Sequence, residues 1–264
     1  MSIKNILIHL DDTNSCEARI DVALCIAREH AASVTGISIL THDYYQPRQT
    51  RTQETQAASG DLLLTMARAA GVAAVWRVIE SAVVGVSVRE LLIRNSHCFD
   101  LVIVSQEPDK KAGSVAMVED LVLCAGRPVL VVPSVGTFPS VGKRILVAWK
   151  NGREAARAMN DSLPLLKKAG QVTLLSIASS EEAGQDPWEG ILEHLQRHGI
   201  QAGTRVQPAT SAPMADSLLN MSCEGGFDLL VMGAYKPETR RKSQFGKIAD
   251  QILREMTIPV LMSH

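Results

Sequence analysis

The sequence of 264 residues predicts an α/β protein with two doubly wound domains, each a five-stranded parallel sheet with helices on both faces. Three observations predict this fold. A pattern of three short segments occurs twice in the chain, and short apolar runs alternate with longer amphipathic segments. Within the apolar runs, apolar residues follow one another and do not alternate with polar ones. Continuous apolar strands, such as LVIVS at 101–105, are typical of parallel sheets that are buried on both faces.

The internal repeat consists of three segments that recur in the same order in the second half of the chain. Their offsets of 139, 128 and 131 residues indicate a duplicated domain whose loops have changed in length. The pairs are KNILI at 4–8 with KRILV at 143–147, FDLVIV at 99–104 with FDLLVM at 227–232, and RPVLV at 127–131 with IPVLM at 258–262.

Runs of Val, Ile and Leu predict five strands in each half, and the amphipathic segments between them predict helices. The predicted strands are 5–10, 34–40, 72–79, 101–105 and 129–133, then 144–149, 172–178, 201–206, 229–232 and 260–263. The predicted helices are 15–31, 55–70, 85–96 and 114–124, then 153–169, 187–198, 212–223 and 246–256. Ligands of such sheets bind beyond the carboxyl ends of the strands, so we expect a site in the loops after Leu10, Ser105, Trp149 and Met232.

The two copies are separated by SVGTFPSVG at 134–142, whose Ser, Gly and Pro content is typical of a linker. This stretch predicts one domain at 1–137 and a second at 141–264.

Composition argues against several classes of protein and partner. The formal net charge is −1, from 27 Lys and Arg against 28 Asp and Glu, which implies no nucleic-acid partner and no anionic membrane surface. The apolar runs are far shorter than a bilayer-spanning helix. Because acidic residues follow MSIKNILIHL at once, this opening predicts a first strand and no signal peptide. We therefore expect a cytoplasmic protein.

Five cysteines are scattered along the chain and never form a CxxC pair. An odd number at irregular spacing argues against a disulfide framework and against a cysteine-based zinc site. Most of them fall on apolar faces of predicted helices, so we expect free, buried thiols that pack as small apolar side chains. They are Cys16, Cys25, Cys98, Cys124 and Cys223.

Two long segments resemble the universal stress protein A family, in its proteobacterial two-domain type. One is DLLVMGAYKPETRRKSQFGKIADQILREMTIPVLMSH at 228–264, and the other is ILVAWKNGREAARAMNDSLPLLKKAG at 145–170. The resemblance is strong over 143–264 and weaker over 1–133. It implies a tandem universal stress protein with a Rossmann-like fold in each half. One branch of that family binds ATP, and another lacks nucleotide.

The ATP-binding branch has a glycine, two residues, a second glycine, nine residues, and then Gly-Ser or Gly-Thr. Glycines allow backbone N–H groups to approach phosphates closely. In this chain Gly233 fits the first position and Gly246 the last glycine. Lys236 stands at the second glycine, and Lys247 replaces the hydroxyl residue, so the motif is half complete.

The replacements are basic, and they define the candidate site of the second half. The family has an acidic residue after the first strand, where this chain has Lys150. If Lys150 and Lys247 face one crevice with Lys236, that crevice attracts a phosphate or another anion. The alternative is that the basic run at 236–247 is solvated surface of a long loop.

The first half departs from the family pattern in another way. It keeps Asp11 after its first strand, which makes Asp11 a candidate ligand residue, although turn and capping roles are common for such a residue. Ser105 replaces the first glycine, and Gly113-Ser114 follows only eight residues later. Ser114 is also explained as the N-cap of the following helix. We expect this half to bind no nucleotide in the family's manner.

Two further features have simpler explanations than a site. His194 and His198 are four residues apart and could face a metal, yet a polar pair on a solvated helix face explains them as well. Trp149 ends a strand near the predicted crevice, where it could stack on a base or pack in the core. The sequence contains no Walker A motif and no GxSxG elbow, and no catalytic constellation is evident.

These observations lead to two hypotheses about function. The first is a cytosolic stress-response binding protein without turnover, with a nucleotide or anion site in the C-terminal half. The rival is an ATP-binding, slowly hydrolysing switch that uses the loop from Gly233 to Lys247. The resemblance implies an intrachain pseudo-dimer in which the strands at 129–132 and 260–262 cover each other's edges. ATP as a ligand, a homodimer and a protein partner are left open.

Overall fold

The structure is a computed structural model that describes residues 2–40, 50–80, 86–106, 116–178, 187–208, 213–234 and 246–264. Strands and helices alternate within each half, and β5 is followed directly by β6. The strands are β1 (Asn5–Leu10), β2 (Ser33–Leu40), β3 (Ala74–Glu80), β4 (Leu101–Ser105), β5 (Val129–Val132), β6 (Arg144–Ala148), β7 (Gln171–Ala178), β8 (Gly203–Pro208), β9 (Leu229–Gly233) and β10 (Val260–Ser263). The helices are α1 (Cys16–His30), α2 (Thr50–Ala70), α3 (Val88–Ser96), α4 (Ala116–Cys124), α5 (Arg153–Leu166), α6 (Ile191–Arg197), α7 (Met214–Glu224) and α8 (Lys247–Glu255).

The strands form one continuous sheet of ten, in the order β3-β2-β1-β4-β5-β10-β9-β6-β7-β8. Neighbours within each half are parallel, as the apolar runs predict, and the α/β fold class is confirmed. The halves meet at β5 and β10, which pair antiparallel with Leu130 opposite Leu261. Each last strand therefore covers the other's edge, which confirms the predicted pseudo-dimer contact. The domain limits at residues 137 and 141 stay a prediction.

The strand order reverses between β1 and β4 in the first half and between β6 and β9 in the second. At such a switch point the loops leave the sheet in opposite directions and open a crevice beyond the strand ends. The residues that follow β1 and β6, together with those that end β4 and β9, therefore border the two equivalent crevices. Asp11 follows β1 in the first half, and Gly233 ends β9 in the second.

The core consists of two apolar layers, one on each face of the sheet. Alternate residues of β1 show the division, since Ile6 and Ile8 face α1 and α2, whereas Leu7 faces α3 and α4. The second half repeats this arrangement, with α5 and α6 on the first face and α7 and α8 on the other. This placement brings the N-termini of α7 and α8 to the carboxyl ends of β6 and β9.

The repeated Phe-Asp motif has a structural role in both halves. Asp100 accepts hydrogen bonds from the backbone N–H groups of Lys4 at 2.8 Å and Asn5 at 3.0 Å. Asp228 accepts in the same way from Arg144 at 2.9 Å. Each carboxylate thus satisfies the backbone at the start of β1 or β6, which no helix or strand partner reaches. The strongest sequence repeat therefore serves folding.

The element limits differ from the predicted ones at several ends. The predicted helix at 187–198 is shortened to α6, because residues 187–190 form a turn that ends in Gly190 at φ 74°, a left-handed conformation. Helix α5 ends at Leu166, before the predicted residue 169. Helix α2 begins at Thr50, earlier than predicted. No helix in the described ranges has the length and hydrophobicity to cross a membrane.

The prediction that most cysteines are buried is wrong. Cys16 is buried and Cys25 is half-buried, but Cys98, Cys124 and Cys223 are exposed. Cys124 and Cys223 lie in the last turn of a helix, and Cys98 lies two residues beyond the end of α3. An apolar face in the sequence therefore does not guarantee burial at a helix end.

Candidate functional site

A cleft of about 730 Å³ lies at the carboxyl ends of β6 and β9, within the usual volume range of small-molecule sites. Its floor consists of residues from adjacent strands, since Ala148 of β6 lies opposite Leu175 of β7 and Met232 belongs to the neighbouring β9. The first turn of α7 contributes Met214 and Leu218 to the wall. The N-termini of α5 and α8 complete the lining.

Four of the six predicted site residues line this one cleft: Lys150, Gly233, Gly246 and Lys247. Lys150 follows β6 and Lys247 begins α8, so two distant parts of the chain bring their side chains to the same space. Lys236 lies outside the described residues. Asp11 belongs to the equivalent crevice of the first half. The function of these residues stays a prediction.

Two helices begin at the cleft with a glycine as the N-cap. Gly152 precedes α5, and Gly246 precedes α8 with extended backbone angles. A glycine N-cap provides no side chain to accept hydrogen bonds from the first N–H groups of the helix. The helix dipole adds a partial positive charge at each of these ends. Both features favour a negatively charged group in the cleft.

Gly233 has a packing explanation that does not involve a ligand. A Cβ atom at this position would lie 2.5 Å from the carbonyl carbon of Glu154 and 2.6 Å from the backbone nitrogen of Ala155. Such distances are far below van der Waals contact, and the obstacle is backbone. Glycine is therefore required for β9 to pack against the first turn of α5. Its match to the family motif is by itself no evidence of a phosphate cradle.

The charged side chains that line the cleft, within the described ranges, are Lys150, Lys247 and Glu154. Both lysines are exposed, whereas the Glu154 side chain is only 18% exposed. The guanidinium of Arg153 donates to Glu154 Oε1 at 3.0 Å, so this carboxylate already has a cationic partner. The cationic side chains of the described lining are therefore Lys150 and Lys247, and its one anionic side chain is already paired.

Trp149 packs mainly as a core residue. It is 7% exposed, belongs to the apolar layer that faces α5, and donates its indole N–H to the carbonyl oxygen of Pro187 at 2.9 Å. This geometry agrees with the predicted packing role. Part of the residue also reaches the cleft lining, beside Lys150.

The equivalent crevice of the first half contains a buried ion pair. The Arg19 side chain is fully buried, and its Nη2 donates to Asp11 Oδ1 at 2.8 Å. Its Nη1 donates to the hydroxyl oxygen of Ser105, which lies 3.1 Å from the hydroxyl of Ser15. Asp11 also accepts from the backbone N–H of Thr13, as expected for a turn residue.

This ion pair sets the protonation of its neighbours. Burial raises the pKa of Asp11, but the charge and hydrogen bond of Arg19 outweigh this and leave that pKa below its ordinary value. Burial and the nearby Arg19 charge lower the pKa of His9 to about 4. His9 is therefore neutral at physiological pH, with its Nδ1 3.8 Å from Asp11 Oδ2.

Some functional positions were missed from the sequence. Met214 and Leu218 belong to α7, whose N-terminus reaches the cleft only because of the sheet topology. Arg19 could have been recognised, because it lies three residues after Cys16 and four before Ala23, on the apolar face of α1. A charged residue on such a face requires a buried partner.

The histidine pair does not form a metal site with other described residues. The rings of His194 and His198 pack edge to face, with centroids 4.7 Å apart. In the part of the chain that the structure describes, no group of three or more His, Cys, Asp or Glu side chains could hold a metal ion.

No protein-family model and no curated protein sequence matches the chain. Similar folds are found among crystal structures. A universal stress protein from Archaeoglobus fulgidus matches with a TM-score of 0.75 at 15% identity, covering 98% of this chain and 97% of that one. A protein of unknown function from Pseudomonas aeruginosa matches with a TM-score of 0.67 at 16% identity, and the match covers 99% of this chain and 92% of that one. A proposed universal stress protein from the same species matches with a TM-score of 0.65 at 17% identity, and the match covers 99% of this chain and 93% of that one. This chain therefore has the fold of two-domain-sized universal stress protein structures over nearly its whole length.

Proposed function

We propose that this chain is a cytoplasmic tandem universal stress protein that binds an anionic small molecule in the cleft of its C-terminal half, without turnover of its own. The observation that carries the proposal is that Lys150, which follows β6, and Lys247, the first residue of α8, line the same cleft of about 730 Å³. The resemblance of residues 143–264 to the universal stress protein family, together with the fold, supports the family assignment.

Electrostatics supports an anionic ligand. A lysine at the first position of a helix is unfavourable for that helix alone, because the dipole is already positive there. Lys247 occupies this position in α8, where a bound anion would offset the repulsion. A charge-assisted hydrogen bond to an anion contributes about 1.5–3 kcal/mol. Lys150 adds a second positive side chain from the opposite loop.

The chemistry of the lining supports binding without catalysis. Within the described ranges, the lining contains no Ser, Thr, Cys, His or Asp side chain that could act as a nucleophile or a general base. Glu154 is the one carboxylate there, and Arg153 already donates to it. A base held in an ion pair is poorly suited to remove a proton from a reactant.

The test is a titration of the full chain with a fluorescent ATP analogue and with inorganic pyrophosphate, after mass spectrometry for co-purified ligand. Lys150→Ser and Lys247→Ser should each weaken binding of the anion about tenfold or more. Raised salt should weaken it further, because part of the attraction is screened. Lys167→Ser is the matched control, since Lys167 is exposed at the opposite end of α5. Equal affinities in all four proteins would overturn the proposal.

The ATP-dependent switch is tested by rebuilding the family motif. The double substitution Lys236→Gly with Lys247→Ser restores the glycine and the hydroxyl of the ATP-binding branch. If ATP binds only to this variant, the natural chain has lost nucleotide binding. If the natural chain already binds and hydrolyses ATP, the switch hypothesis replaces binding without turnover.

A further inference from the structure

The cleft is apolar over most of its described lining. Its floor and walls include Leu175, Ile177, Met214, Leu218, Met232 and Ile248. Met214 is 39% exposed and lines the cleft. Methionine is unbranched and adaptable, and it is frequent where a protein surface accepts apolar groups of varied shape. The lining is therefore suited to an apolar body.

The charged groups are positioned away from this apolar floor. Ala148 and Leu175 are paired in the sheet, whereas Lys150 lies two residues beyond the end of β6. Lys247 lies at the start of α8, also outside the sheet. A ligand that fits both regions has an apolar part against the strand ends and an anionic group near the two lysines.

A nucleotide fits this lining poorly. Ribose hydroxyls and base edges need several hydrogen-bonding partners when they leave water. Among the described lining residues, the uncharged polar side chain is Asn151, and the indole N–H of Trp149 is bonded to Pro187. Glu154 is paired with Arg153, and Lys150 and Lys247 are the cationic side chains among the described lining residues. A single carboxylate can be held by these two groups, and an apolar chain attached to it needs no hydrogen-bonding partner.

We propose that the cleft binds an amphiphilic monocarboxylate, of the size of a medium-chain fatty acid, with its chain over Met214 and Leu218 and its carboxylate near Lys150 and Lys247. This inference rests on the proposed anion site and specifies its ligand class. The carboxylate gains charge-assisted hydrogen bonds, and the chain buries apolar surface without leaving polar groups unpaired.

The test compares hexanoate, octanoate, decanoate, decanol and the fluorescent ATP analogue by calorimetry on the full chain, below micelle-forming concentrations. Affinity should rise about fourfold for each methylene buried, until the cleft is full. Decanoate should bind about tenfold or more tightly than decanol, because only decanoate has the charge. ATP should bind more weakly than decanoate.

Two variants separate the two parts of the site. Lys247→Ser should reduce the preference for decanoate over decanol and leave the chain-length dependence intact. Met214→Ser should weaken decanoate severalfold and flatten the chain-length dependence, and its partial exposure makes loss of folding an improbable cause. Leu192→Ser is the control, because Leu192 is similarly exposed on α6 and does not line the cleft.

The outcomes distinguish this inference from the proposed function. If ATP binds in a Lys247-dependent manner and decanoate does not bind, the ligand class is wrong and the anion site stands. If neither anion binds, both proposals are wrong. If decanoate binds equally to the natural chain and to both variants, it binds elsewhere, and the assignment to this cleft is overturned.

Discussion

The two halves of this protein have side chains of opposite charge at the crevice beyond the ends of equivalent strands. Where the first half has Asp11 and Ser105, the second half has Lys150 and Gly233 at the equivalent positions of the repeat. In the first half, the buried guanidinium of Arg19 joins Asp11 to Ser105. In the second, the small side chain of Ala158 stands in place of Arg19, and a cleft lies beyond the strand ends.

The comparison shows that equivalent positions of a duplicated fold can differ in how their charges are compensated. The first half compensates its own carboxylate with a cation of the same chain, so little electrostatic reason remains to bind an ion from solution. The second half has Lys150 and Lys247 in the described lining of an apolar cleft. We therefore expect any anionic ligand of this protein to bind in the second half.

The largest effect should follow removal of the buried cation. Arg19→Leu leaves the Asp11 carboxylate without its partner in a mostly buried site, and breaking such a pair costs about 3–5 kcal/mol. Urea unfolding of the full chain measures this loss. Arg157→Leu is the matched control, because Arg157 forms an exposed i,i+4 pair with Asp161 at 2.8 Å that is worth about 0.3–0.5 kcal/mol. Similar losses in both variants would show that Asp11 does not depend on Arg19 for the compensation of its charge.

Acidification should destabilise the first half through His9, whose counterpart in the repeat is Ala148. With the pKa of His9 lowered from 6.5 to about 4, only the unfolded chain binds this proton between those pH values. Stability therefore falls as the pH is lowered through this window, by about 3 kcal/mol for this group. The contribution of Asp11 to the free energy of unfolding is lost at lower pH, because the pKa of Asp11 in the folded chain lies below 3.8.

The measurement is the free energy of unfolding from pH 7 to pH 4 in the natural chain and in His9→Asn. The variant should lose much less stability over this range. Parallel pH profiles would contradict the buried, neutral state of His9 and would weaken the argument that Arg19 controls this crevice.

A smaller effect should follow loss of the contact that joins the first crevice to the second half. Gln106, next to Ser105, donates to the carbonyl oxygens of Leu253 at 2.8 Å and Arg254 at 3.1 Å in the last turn of α8. Its repeat counterpart, Ala234, has no side chain for such a contact. Gln106→Ala should lower the free energy of unfolding by about 1–2 kcal/mol.

The control for this substitution is Gln196→Ala, because Gln196 is exposed on α6. Hydrogen exchange of α8 provides a local measurement, and protection should fall there more than in α7. Equal exchange in the natural chain and in Gln106→Ala would show that the first half does not restrain α8.

Much of the architecture follows from local patterns in the sequence. The limits of β1, β4 and β10 were predicted to the residue, because each is a short apolar run with polar or turn residues on both sides. The repeat predicted two equivalent crevices. The resemblance to the universal stress protein family made Lys150 and Lys247 candidates for the second crevice, with solvated surface as the alternative.

The properties that separate the two crevices were decided by the tertiary structure. Sequence spacing could not show that Arg19 reaches Asp11 and Ser105, that the Cα of Gly233 packs against the backbone of α5, or that α7 brings Met214 to the cleft. Each of these contacts joins segments that are distant in the chain, and their distances depend on how the helices pack on the sheet. The sequence by itself determined which elements form and where a site can open. Packing determined which crevice has its carboxylate paired within the chain and which has a cleft lined by two lysines.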